Sequence, residues 1–179
     1  MMSEHKLPII FLNPATVLGH GDHGLTPSNQ FILLAMQKPS PVYFPGGHSY
    51  AGIDDIAKAH VEAGYKGRIG ERYILGGDNI SIRELFNIIS NLTGGRKPYF
   101  PIGHSFVTIA GLGFEALARI TNTPPLFTRR KAHKLINYYG YVSSQKAKGE
   151  LNYETPAIEH LLQDCIKWFE QKQWLKLQH

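Results

Sequence analysis

Apolar and polar positions run along the chain in blocks of two different periods. Leu7 to Leu12 form a short, nearly unbroken apolar run closed by Asn13 and Pro14. A run of that kind predicts a strand, placed at Pro8–Leu12, that is buried on both faces and belongs to a parallel sheet covered by helices. From Pro27 to Lys38 the period turns helical, with Phe31, Ile32, Leu34 and Ala35 on the apolar side and Pro39 as the stop. "PVYFPGGHSYAGI" reads as two short extended pieces around Gly46 and Gly47, a glycine-linked hairpin. Asp54 is then the expected cap of a helix carrying Ile56, Ala57, His60, Val61 and Gly64, and "RYILGG" reads as a second buried strand, Arg72–Leu75.

Next comes the clearest local signature. Ser81 and Glu84 in "SIRE" form a capping box, Leu85, Phe86, Ile88, Ile89 and Leu92 keep the helical period, and Gly94 closes it. Two more helices are expected over 104–121 and 127–138. The last opens at Thr155, takes Pro156 as its first residue, and repeats Ile158, Leu161, Leu162, Cys165, Ile166 and Phe169. No internal repeat or low-complexity stretch interrupts this order.

Strands taking turns with helices define the α/β class. Only two strands read as interior to a parallel sheet, however, and an independent sheet normally needs three or more. The expectation is that something outside these residues completes the sheet, unless the two strands are protected in a less usual way.

Composition narrows the class without changing it. With 179 residues, 42% of them hydrophobic and 18% charged, the chain suits one ordinary globular domain. The single Cys165 excludes an internal disulfide framework and reads as a buried structural thiol in a reduced compartment. No secretory signal precedes the first strand, which makes the cytoplasm the expected location. "SFVTIAGLGFEALARI" is broken by glycines and by Glu115 and falls short of the roughly 20 apolar residues of a spanning helix.

The net charge is +5, and Arg129 to Lys148 carries six Lys and Arg residues and no acid, with Tyr138, Tyr139 and Tyr141 nearby. Basic charge beside aromatics suits single-stranded nucleic acid, but no nucleic-acid motif accompanies it, and a solvated face or an anionic small molecule explains it better. Asp54 and Asp55 could suggest acid–base chemistry, which helix capping explains better. His20 and His23, with Asp22, His48 and Cys165, lack the ordered spacing of a zinc site, so no metal is assigned.

Three segments in order carry a resemblance: "LPIIFLNPATVLGHGD", "YAGIDDIAKAHVEAGYKGRIGERYILGGDNISIRELFNIISNLTG" and "VSSQKAKGELNYETPAIEHLLQDCIKWF". Together they resemble the C-terminal half of an extended short-chain dehydrogenase/reductase of the NAD-dependent epimerase/dehydratase family, in its dihydroflavonol-reductase-like branch. His20 and Asn152 stand where the family commonly has proline and glycine. The resemblance implies the last strands of a Rossmann-type parallel sheet plus a mainly helical substrate-binding lobe, with the first strand as the sixth of seven. Under it, 7–17 and 51–94 are sheet-associated, 18–50 and 95–155 form the substrate lobe, and 156–175 holds the C-terminal helix, all within one partial domain.

The family's chemical parts lie in its front half, and these residues do not supply them. Gly64, Gly67 and Gly70 match a Gly-x-x-Gly-x-x-Gly pattern, but they leave a helix and enter a strand, the reverse of a phosphate-binding turn. None of the nine tyrosines has a lysine four positions on, so the Tyr-x-x-x-Lys pair is absent and no catalytic residue is assigned. Whether the front half was lost, resides in another chain or was cut away, sequence leaves open.

By position in the family, Asn13, Pro14, Ala15, Thr16 and Val17 face the cofactor, mostly through backbone groups. Thr26, Ser28, Asn29 and Phe31, then Tyr43, Phe44 and Tyr50, are the expected substrate contacts. The implied function is the substrate-binding portion of an NAD(P)-dependent oxidoreductase or epimerase acting on a sugar nucleotide or a small hydroxy or carbonyl compound. Alone the chain is expected to be inactive and to bind NAD(P) weakly or not at all, with self-association or a missing N-terminal half as its partner. A non-catalytic interaction module and a basic nucleic-acid binder are the alternatives.

Overall fold

The computed structural model describes residues 7–103 and 137–175. β1 (Phe11–Pro14) pairs in parallel with β5 (Arg72–Leu75), Phe11 opposite Arg72 and Pro14 opposite Leu75. One residue later the chain changes partner. β2 (Thr16–Leu18) runs parallel to β4 (Gly46–Gly52), which on its other side meets β6 (Asp78–Ser81) antiparallel. The first half of β4 also pairs with β8 (Tyr138–Gly140). The strand pair β1–β5 thus opens into a fork, with β4 wedged between its prongs β2 and β6. At the crotch a side chain on Gly77 would overlap the Tyr50 carbonyl oxygen, so glycine is required there.

Two helical layers cover this framework. α1 (Pro27–Gln37), α3 (Ile82–Thr93) and α5 (Ile158–Gln171) surround a core of Leu18, Ile32, Tyr50, Leu85, Leu162 and Phe169. On the opposite face α2 (Ile53–Lys66) and α4 (Gln145–Leu151) pack Ile56, Ala59, Ala147 and Leu151 on Ala51, Tyr73 and Leu75. Adjacent residues Tyr50 and Ala51 enter different cores, so β4 divides the two layers. β3 (Val42–Tyr43) makes a two-rung parallel contact with β7 (Phe100–Pro101). Among the described residues no helix is long and apolar enough to cross a membrane.

Several sequence expectations need correction. The first strand lies at Phe11–Pro14, because its ladder exists only where β5 lies opposite. Among the described residues its sheet is covered on one face only: Tyr73 and Leu75 are fully buried while Arg72 and Ile74 are exposed. β3 and β4 form no hairpin, since β4 is an inner strand already paired on both sides. Asp54 is not a cap. β4 runs straight into α2, with Gly52 at the N-cap, and Asp54 and Asp55 occupy the first turn, where they complement the helix dipole.

α5 begins at Ile158 rather than Pro156, because Asp78 of β6 caps it from outside, its Oδ2 accepting the Ile158 N–H at 3.0 Å. Tyr138 does not belong to the helix expected over 127–138, since Tyr138–Gly140 pairs with β4 as a strand. The rest of that helix and the one over 104–121 fall outside the described residues. The capping box has its expected donor, Glu84 N–H to Ser81 Oγ at 3.1 Å, and Gly94 ends α3 at φ 69°. Gly64 lies inside α2, Gly67 caps its end and Gly70 turns into β5, the helix-to-strand order that rules out a phosphate turn.

A polar clamp fastens α4 to the start of β5. The buried Tyr73 hydroxyl donates to Glu150 Oε2 at 2.7 Å and accepts from the Arg68 N–H at 3.1 Å. The Arg68 guanidinium grips the same carboxylate at 2.6 and 3.0 Å, and its hydrogen bond holds Glu150 below the usual glutamate range. Lys146 donates to Glu71 at 2.6 Å and lies 4.8 Å from the Tyr73 ring centroid. Tyr73→Phe therefore removes two bonds while keeping the packing, and should cost about 1–2 kcal/mol in urea unfolding at neutral pH. Because the folded-state pKa of Glu150 is depressed, its contribution exists above the ordinary glutamate range and fades as pH falls through the lowered value. The Tyr73→Phe difference should shrink in acid.

Candidate functional site

At the carboxyl ends of β1 and β2 the chain enters a glycine-containing loop, Gly19–Leu25, before α1. The groove there has a volume of about 640 Å³, and Ala15, Thr16, Val17, Thr26, Ser28 and Asn29 line it. Ala15 anchors its floor, its N–H donating to the Leu75 carbonyl at 3.0 Å. Gly19 stands at φ 143°, and a Cβ there would meet Ile53 Cγ2 at 2.5 Å, so the loop can lie against the start of α2 only with glycine.

Asp22 organises the loop. Its Oδ2 accepts the Thr26 N–H at 2.7 Å, the Thr26 hydroxyl at 2.7 Å and the Asn29 amide at 2.8 Å. Partial burial pushes its carboxyl pKa up, but the bonds from Asn29 and Thr26 outweigh this and hold it below the usual aspartate value. Asn29 is itself buried, and its other end meets the Cys165 thiol, Sγ to Oδ1 3.8 Å. Burial raises that thiol to about 12, as expected of an inert structural cysteine. Ser28 Oγ donates to the Val17 carbonyl at 3.3 Å, joining α1 to β2.

The remaining expected contacts are distributed elsewhere. Asn13 and Pro14 lie exposed at the end of β1, outside the groove lining. Phe31 stacks near Phe44 and Phe86, with centroids 6.0 and 5.6 Å apart, and lines a separate cavity of about 280 Å³ between α1 and α3. Tyr43 lies beneath the Arg83 guanidinium, 5.9 Å from its ring centroid. Tyr50 is buried, and burial, with Tyr141 adding to it, raises its hydroxyl pKa. Sequence alone offers Asp22 only as a possible metal ligand and gives no role to Leu18, Gly19, Gly21 or Ile53, all of which line the groove. The legible signal was an aspartate four residues before a threonine at a helix start, a local hydrogen-bonding pattern.

His20 and Asp54 bridge the loop and α2 at 3.2 Å, and His23 stands edge-on to Trp168, 5.2 Å between centroids. They therefore act as loop contacts at separate points. His48 lies against Tyr138, 5.6 Å away.

No family model matches the chain. A Synechocystis protein named, provisionally, a dihydroflavonol 4-reductase is 28% identical over 95% of this chain and 50% of its own length. The crystal structure of gox2253 superposes with a TM-score of 0.77 at 35% identity, covering 98% of this chain and 53% of that one. A nucleoside-diphosphate-sugar epimerase from Pseudomonas aeruginosa gives 0.69 at 25% identity, over 95% and 50%.

The chain is similar to the C-terminal half of the extended short-chain dehydrogenases/reductases. It spans about half the length of the relatives it matches. A Bacillus cereus UDP-glucuronic acid 4-epimerase, solved with NAD, shares the fold with a TM-score of 0.63 at 17% identity, over 96% of this chain and 48% of its own. In open α/β sheets ligands bind beyond the carboxyl ends of the strands, and the groove at Ala15–Val17 opens at that end of β1 and β2.

Asp22→Ala should free the groove loop. The expected cost is about 2 kcal/mol in denaturant unfolding at neutral pH, because bonds to a charged acceptor are lost. Since the folded pKa of Asp22 is depressed, this contribution is present above the unfolded value and is lost as pH falls through the folded one. The mutant and parent chains should thus converge below the usual aspartate range.

Proposed function

We propose that the chain is the substrate-binding portion of an NAD(P)-dependent oxidoreductase or epimerase. The observation that carries this reading is the groove at the carboxyl ends of β1 and β2, on a framework similar to about half of a named reductase and of a named sugar-nucleotide epimerase. The nicotinamide supplies hydride transfer to or from a carbinol or carbonyl carbon. Ala15, Thr16 and Val17, which line the groove, would hold the nicotinamide end of the cofactor there. The Asp22 network keeps the floor and the start of α1 in register, and the proton is handled by a residue outside this chain.

In this reading 7–17 and 51–94 serve the sheet, 18–50 and 95–155 the substrate lobe, and 156–175 the helix that closes it. Val17 and Ile53 make the groove largely apolar, as small-molecule sites generally are. The relatives' names suggest a sugar nucleotide or a neutral hydroxy or carbonyl compound as substrate.

The unpaired edge of β1 supports the same reading. Phe11 and Ala15 direct their N–H groups to Glu71 and Leu75. By the parity of a parallel ladder, Leu12 and Pro14 face away from β5. Among the described residues no strand pairs with that side, and we propose that the preceding strands of the front half, or a second copy, occupy it.

The chain alone should turn over no carbonyl substrate and should bind NADP more weakly than micromolar in calorimetry. A chimera with the front half of gox2253 fused ahead of Leu7 should gain both properties. Micromolar NADP affinity in the chain alone, or a folded chimera without any, contradicts the proposal.

A further inference from the structure

We propose a second binding site, separate from the groove and independent of its assignment, between the carboxyl ends of α1 and α3. It takes a small amphipathic monocarboxylate, with the apolar body inward and the carboxylate outward against Lys38 and Arg96. The cavity there has a volume of about 280 Å³, just below the usual range of small-molecule sites. Its walls are Phe31 and Leu34 of α1 and Phe86 and Ile89 of α3. Leu34 is 47% exposed, so this apolar wall faces solvent at its mouth. The groove opens at the other end of α1, and from Thr26 to Lys38 that helix runs about 18 Å at the helical rise.

The rim carries charge of one sign. Lys38 and Arg96 belong to the described lining, which contains no acid, and among the described residues neither side chain has an ion-pair partner. Their simplest role is to offset the negative ends of the two helix dipoles. Each end amounts to about half a charge, so α1 and α3 together offset about one of the two positive charges and leave the other for a ligand. The loop bearing Arg96 is fixed over the end of α3, since Ser90 Oγ donates to the Gly95 carbonyl at 2.6 Å and the Gly95 N–H donates to the Ser90 carbonyl at 3.1 Å. A carboxylate matches the remaining charge, and its bonds to Arg and Lys are charge-assisted.

The test is calorimetry of the full chain at low salt with octanoate, octanol and octylamine, which share one tail and differ in head charge. Octanoate should bind saturably and at least tenfold more tightly than either of the others. Hexanoate should bind about fifteenfold more weakly than octanoate, because two buried methylenes are lost. Lys38→Gln and Arg96→Gln should each weaken octanoate about fivefold, the size of one charge pair across water, and leave octanol unchanged. Leu34→Asp places a carboxylate in the wall one turn before Lys38 and should abolish octanoate binding, whereas Val17→Asp, in the groove, should leave it unchanged. Thermal unfolding of each variant identifies any that fails to fold, and the two glutamine variants, at exposed positions, decide the matter if Leu34→Asp does.

Octanol or octylamine binding as tightly as octanoate overturns the carboxylate class. Octanoate binding that Val17→Asp abolishes and Leu34→Asp leaves intact belongs to the groove and overturns the second site. Octanoate affinity indifferent to both glutamine variants, or no saturable binding at all, overturns the inference as well.

Discussion

Parallel strands cannot be joined by a tight turn, so the ladder between β1 and β5 is held by what crosses between them. That crossing contains β4 and α2, and their packing decides where the groove lies. β4 enters as a wedge that separates β2 from β6, and α2 leaves it without an intervening loop. The four-residue register from Phe11–Arg72 to Pro14–Leu75 therefore fixes the point at which the sheet forks. The groove lies beyond that point because β2 turns away from β5 there and the loop from Gly19 must cross over the start of α2.

Long-range polar contacts then secure the C-terminal segment to this fork. Asp78 caps α5 and the Arg68–Glu150–Tyr73 clamp holds α4. The Asn79 side chain pairs with Val142 in both directions, at 3.0 and 3.2 Å, as a neighbouring strand would. These contacts bridge 63 to 82 positions. They bring α5 over the core that includes Leu18, the last residue of β2, and through Cys165 and Asn29 they reach Asp22.

The sequence shows clearly what local periodicity governs. α1, α3 and the strand at Arg72–Leu75 are legible from spacing, caps and apolar runs, and Gly64–Gly70 could be dismissed because its order was wrong for phosphate. What failed depended on distant partners. Pro156 looked like a first helical residue, but Asp78 sets the start of α5. Tyr138 reads as a helix end, but β4 gives Tyr138–Gly140 a strand to pair with. The apolar run at the N-terminal end reads as buried on both faces, whereas among the described residues only one face is covered. Within the candidate site the backbone segment Ala15–Val17 and the residues Thr26, Ser28 and Asn29 do converge. The aromatic positions Phe31, Tyr43 and Phe44 do not join them, because α1 directs Phe31 toward α3.

The central claim is that β1 is built as an inner strand whose outer side awaits a neighbour. Hydrogen exchange of the Leu12 amide reads that side directly, with Phe11 and Asn13 as internal controls facing β5. In monomeric chain Leu12 should exchange rapidly while Phe11 and Asn13 are protected, and fusion of a relative's front half should slow Leu12 to match them. Strong protection of Leu12 in the monomer would contradict the account.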